Sequence, residues 1–93
     1  LKKEIKHRIH YRRSKVNDEQ HGIGWAVKQM ENGQRVTRKG WNGPDQYLEL
    51  QTPDDHSKMT LPYVYIRTVQ GDLVPWLTSQ TDLLATDWTI ATN

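Results

Sequence analysis

The sequence has no cysteine and no phenylalanine, and only 34% of its 93 residues are hydrophobic. Without cysteine there is neither a disulfide staple nor a thiolate metal site. Without phenylalanine, four Trp and four Tyr must carry the aromatic packing. The chain also lacks an apolar run near the roughly 20 residues that span a bilayer, and residues 1–20 lack the apolar stretch of a signal peptide. These absences predict a cytoplasmic protein with no membrane partner. The length fits one domain near the lower limit at which a single core sustains itself, so so lean a core predicts help from self-association.

Charge is unevenly spread. The formal net charge is +2, yet residues 1–20 hold seven Lys/Arg against three Asp/Glu, and residues 21–93 hold six against eight. The basic pI therefore belongs to the leader LKKEIKHRIHYRRSKVNDEQ, in which no period of 2 or 3.6 holds. Residues 1–20 are read as a flexible basic arm, with a nucleic-acid-binding arm as the alternative. His7 and His10, three apart, could share one helical face, but no cysteine or nearby acidic partner completes a metal set. The chain starts at Leu1 rather than Met, which fits a trimmed or excerpted sequence.

From Gly22 the pattern becomes regular. Ile23, Ala26, Val27 and Met30 fall at i, i+3, i+4 and i+7 and predict a short amphipathic helix, which Gly33 ends in the left-handed conformation. QRVTR, QYLELQ and LPYVYIRTV read as strands. Tyr47 and Glu49 alternate with Leu48 and Leu50, and Tyr63, Tyr65 and Arg67 with Val64, Ile66 and Thr68. QTPDDHSKM reads as an exposed loop. Gln70-Gly71-Asp72 turns into LVPWL, where Pro75 predicts an edge or a strand end. Ser79, three residues before Asp82, has the spacing of a capping box with Asp in place of Glu, and a last short strand runs over Asp87–Ile90. The expected fold is a small single α+β domain over residues 21–93. It has one amphipathic helix, an antiparallel sheet of about four or five short strands, and a short helical turn near the C-terminus.

No nucleophile, base and orienting group fall into a catalytic pattern, so the expected class is not an enzyme, with no cofactor and no metal. His56 sits among Asp54, Asp55, Ser57 and Lys58, but sequence adjacency in a polar loop does not make a triad. Asp82 and Asp87, five apart, would not share one helix face. Two tryptophan-bearing polar loops point to binding instead. In RKGWNGP, Gly40 and Gly43 let backbone amides approach an anion closely, with Arg38 and Lys39 supplying charge. Trp41 either stacks on a flat ring or plugs the core beneath a tight turn. In PWLTSQTD, Trp76 stands beside Ser79, Gln80, Thr81 and Asp82 at a helix start, where N–H donors attract anions; an ordinary cap accounts for Ser79 and Asp82 equally well. Two such loops suit a pocket for a flat, phosphorylated molecule such as a nucleotide.

The motifs R-x-G-W-N-G at Arg38–Gly43 and V-P-W-L-x-S-Q-x-D-L-L-A-x-D-W at Val74–Trp88 stand unbroken. Over about residues 22–90 the chain resembles a small phage and prophage family, the second type of Thoeris anti-defence protein. The resemblance implies a homotetrameric, non-enzymatic sponge in the cytoplasm of an infected or lysogenic bacterial host. It would hold cyclic ADP-ribose-type signals made by TIR-domain defence proteins, with nucleic acid disfavoured as a partner. Some relatives are similar in capturing cyclic oligonucleotide signals of a CBASS-type system, which is the alternative here, together with a nucleic-acid-binding module using the basic arm. On that resemblance Trp41 would stack the base, Arg38 and the Asn42-Gly43 amides would meet phosphate, and Gln80 or Asp82, beside Ser79, would read ribose or base edges. Trp76 would be a second wall or core, Trp88 core, and Trp25, off the apolar stripe, would face a subunit partner. The basic leader and the loop from Gln51 to Leu61 match neither motif.

Overall fold

A computed structural model describes residues 20–92; the histidine pair His7 and His10, and the basic arm apart from Gln20, lie outside the described residues. Helix α1 spans Ile23–Glu31. Its first-turn carbonyl partner is Gly22, whose oxygen accepts from the Ala26 amide at 3.1 Å. At the other end the Asn32 amide bonds back to Lys28 and Gln29, and Gly33 turns the chain at φ 88°, a conformation that costs glycine little.

Five short strands follow: β1 Val36–Arg38, β2 Tyr47–Gln51, β3 Tyr63–Arg67, β4 Leu73–Pro75 and β5 Trp88–Ile90, with the five-residue helix α2 Gln80–Leu84 between the last two. The sheet order is β4-β3-β2-β1-β5, antiparallel throughout. Pro75 ends an edge strand, where its missing N–H breaks no ladder. The α+β class, the antiparallel sheet and the short second helix follow the sequence pattern.

Alternation sorts the side chains. Val36, Leu48 and Trp88 are fully buried with Ala26 and Met30 of α1, and Leu50, Val64, Ile66 and Ile90 pack against them. The other sheet face is covered by its own polar groups. Arg35 donates to Glu49 Oε1 at 3.0 Å and lies 4.3 Å over the Tyr47 ring, which keeps Tyr47 7% exposed although it points away from the helix. Tyr65 donates its hydroxyl proton to the same Glu49 oxygen. Burial, with that bond to a carboxylate, pushes the Tyr65 hydroxyl up to about 12.

One expectation for α1 needs correction. Val27, placed in the apolar stripe, is 41% exposed, because the sheet meets the helix along Ala26 and Met30 and a nine-residue helix on short strands buries a narrow line. Trp25, read as lying off the apolar stripe, is half-buried and packs in part against the core cluster. Its ring stacks on His21 at 3.8 Å and 4°.

Candidate functional site

The two motifs meet in space. Arg38 ends β1, and the turn after it is pinned to the start of β5. The Lys39 amide donates to the Asp87 carbonyl at 3.1 Å, and the Gly40 amide to Asp87 Oδ2 at 2.8 Å. A Cβ on Gly40 would stand 2.9 Å from that oxygen and 3.2 Å from Arg38 Nη2, so the absent side chain is what admits the carboxylate. A glycine amide does approach an anion closely here, and that anion is the protein's own.

Arg38 spans two carboxylates. Nε donates to Asp87 Oδ1 at 2.7 Å, Nη2 to Asp87 Oδ2 at 3.3 Å, and Nη1 to Asp82 Oδ1 at 2.7 Å. The three side chains are 15%, 30% and 16% exposed for Arg38, Asp87 and Asp82, so solvent screens the cluster only in part. The hydrogen bond from Arg38 holds the Asp87 carboxyl below its ordinary range against the opposing cost of burial. For Asp82 burial acts upward, and donation from Trp41, Arg38 and the Ser79 pairing together outweighs it, leaving the carboxyl lowered. Bonds to Asp87, then Asp82, raise Arg38 in turn.

Asp82 is also the partner of Trp41, whose indole Nε1 donates to Asp82 Oδ1 at 3.0 Å. The backbone around Asp82 is fixed separately. Its amide donates to Ser79 Oγ at 3.0 Å, the predicted N-cap, and its carbonyl accepts from Trp88 Nε1 at 3.2 Å. Trp88, 1% exposed, is the core residue expected. Trp41 meets it edge to face at 5.4 Å and 78°, and Trp76 does so at 6.1 Å and 84°. Trp41 and Trp76 are both half-buried against the core, so each plugs the interior with part of its ring while the rest remains at the surface.

The other predicted residues take different positions. Asn42, Ser79 and Gln80 are exposed. Gly43 is half-buried, and a Cβ there would stand 2.2 Å from Val69 Cγ2, so its role in the loop includes close packing. α2 is one turn long and already capped by Ser79. Asp87 is the site residue that spacing concealed. The observation that Asp82 and Asp87 share no helix face holds, since one lies in α2 and the other just before β5, but Arg38 joins them from a different strand. The signal present in the sequence was the pairing of two acidic residues in one motif with the cation that opens the other.

Among the described residues no group of three His, Cys, Asp or Glu is arranged to hold a metal ion, and no helix is long and apolar enough to cross a membrane. A surface cavity of about 450 Å³ lies at the Gln51–Tyr63 end of the sheet, lined by Met59, Leu61, Pro62, Tyr63 and Pro75 among others. It contains none of the residues of the two motifs except Pro75.

The family model of the Thoeris anti-defense 2-like domain matches residues 21–91. The chain belongs to the Thoeris anti-defense 2-like family. The protein named Thoeris anti-defense 2 from Bacillus phage SP01 is 30% identical over 81 aligned positions, which cover 73% of this chain and 91% of that relative. The family assigns the chain a phage anti-defence role. Within the matched range stand Arg38, Trp41, Asp82 and Asp87, and residues 1–20 fall outside it.

Proposed function

We propose that this member of the Thoeris anti-defense 2-like family binds a cyclic ADP-ribose-type immune signal and sequesters it without cleaving it, in the cytoplasm of an infected or lysogenic bacterial host. The observation that carries the reading is Trp41, a half-buried indole anchored by both a buried Trp and a carboxylate at the junction of the two motifs. A ring so held can offer its remaining surface to an adenine, and stacking of this kind is worth about 1–3 kcal/mol. Around it, Asn42 with the Gly43 backbone, Ser79 and Gln80 offer hydrogen bonds for ribose hydroxyls and phosphate oxygens, and Trp76 offers a second wall. Arg38 and Asp82 form a charged support for the Trp41 ring.

Ligand binding is assigned to residues 21–93, and residues 1–20 are a basic arm that binding does not require. Self-association as a tetramer accompanies the reading. Leu77 is 92% and Leu84 74% exposed on either side of the α2 start, apolar surface that a subunit contact would cover.

The test is to mix the protein with cyclic ADP-ribose or a glycosidic isomer, measure binding by calorimetry, then heat-denature the complex and assay the supernatant. Intact nucleotide released in stoichiometric amount is the expected result; a processed product would mean catalysis and end the proposal. Trp41→Ala is expected to weaken binding about 5- to 150-fold, the equivalent of 1–3 kcal/mol. Unaltered affinity in the folded variant would assign Trp41 to the core alone.

A further inference from the structure

We propose that Asp82 and Asp87 are positioning residues: Asp82 directly, and Asp87 through Arg38 and the Gly40 amide, set the orientation of Trp41, and they do not themselves read the ligand. This rests on Trp41 being the wall of the binding site.

Edge-to-face packing on Trp88 places the Trp41 ring but leaves its in-plane direction to be fixed by a polar contact. Asp82 Oδ1 makes that contact, and the same oxygen takes the Arg38 Nη1 proton. Arg38 is in turn held by both oxygens of Asp87, and Asp87 Oδ2 pins the Gly40 amide one residue before Trp41. The indole is thus gripped at its nitrogen by α2 and at its backbone by the start of β5, with Arg38 joining the two carboxylates. Nothing in this clamp depends on ligand.

Charge balance leads to the same assignment. One guanidinium faces two carboxylates, so the cluster carries a net −1, and Nε, Nη1 and Nη2 of Arg38 are all donating within the protein. A phosphate brought to Arg38 would meet both acids within a few ångströms, with partial burial strengthening the repulsion. The pyrophosphate of a bound nucleotide is therefore turned away from Arg38, and the arginine serves the ring.

The test uses the full chain in two arms. In the first, hydrogen exchange of the Trp41 indole N–H is followed by NMR without ligand, the signal being assigned by its loss in Trp41→Ala. Asp82→Ala is expected to speed that exchange about tenfold or more, as fits loss of a hydrogen bond worth over 1 kcal/mol. Asp82→Asn, which keeps an oxygen acceptor, is expected to retain most of the protection. A protected indole in Asp82→Ala would overturn the proposal.

In the second arm, calorimetry with the nucleotide shown to bind the unaltered chain compares Asp82→Ala, Trp41→Ala and the double variant. The two single losses are expected to be similar and the double loss no larger than either, the non-additivity of residues acting as one unit. Multiplying losses would mean that Asp82 contacts the ligand independently and would overturn the proposal. Circular dichroism checks folding, and Asp82→Ser, too short to reach the indole, replaces Asp82→Ala in both arms if the latter does not fold. Absence of any nucleotide binding by the unaltered chain would sink the sequestration reading, and with it the assignment to a ligand wall. The exchange arm would still decide whether Asp82 orients the ring.

Discussion

Gly43 has no room for a side chain: the Cβ of an alanine would stand 2.2 Å from Val69 Cγ2 and 3.0 Å from Gln46 Nε2. Gly43→Ala is therefore expected to push the Trp41 loop off the turn that carries Val69 and to cost about 1–3 kcal/mol in urea unfolding, the usual penalty of overpacking. Val69→Ala in the same chain removes the colliding methyl and should restore much of the loss. The sequence showed that this loop needs its glycines and that Trp41 exceeds what a turn requires. It left open whether the indole belongs to core or surface, because that depends on Trp88, 47 residues away. The structure gives Trp41 a share of both, and it engages the Arg38 side chain, expected at phosphate, with two acids whose nearness no spacing could reveal.

Elements were more legible than contacts. The helix stop at Gly33, the edge strand ending at Pro75 and the Ser79 cap each rest on a local backbone rule, and each stands where the rule puts it. α2 is the element with the most to lose, since five residues give it little helical stability of its own. Ser79→Ala is expected to cost about 1 kcal/mol of thermal or urea stability. It should also loosen the Trp88 indole bond to the Asp82 carbonyl, visible as a shift of that indole N–H resonance. The helix face was less legible. Periodicity made Val27 equivalent to Ala26 and Met30, and only the seating of the sheet left it outside.

At the scale of the molecule, the cluster of Arg38, Asp82 and Asp87 ties β1, α2 and the start of β5 together, and it makes stability depend on acid. Both carboxyls are held below their ordinary range in the folded chain. Their contribution is therefore fully present above the unfolded carboxylate value of about 3.9 and is lost as pH falls through the lowered folded values. Unfolding free energy followed by urea titration should show this fall below about pH 4. Arg38→Ala leaves two partly buried acids without their cation and is expected to cost about 3 kcal/mol at pH 7, the lower end for a broken buried pair given the remaining exposure. It should also flatten the acid slope, because the groups that produced it are no longer held down. An acid slope unaltered in Arg38→Ala would place the stabilising charge elsewhere.

The sequence by itself determined the class of fold, the ends of most elements and the family, because turn chemistry, alternation and two long motifs are properties of neighbouring residues. Tertiary structure alone decided the pairing of Arg38 with Asp82 and Asp87, the grip on Trp41 and the partial burial of Trp25. Those depend on strand order and on which groups compete for one guanidinium, and neither is encoded in the spacing of any single segment.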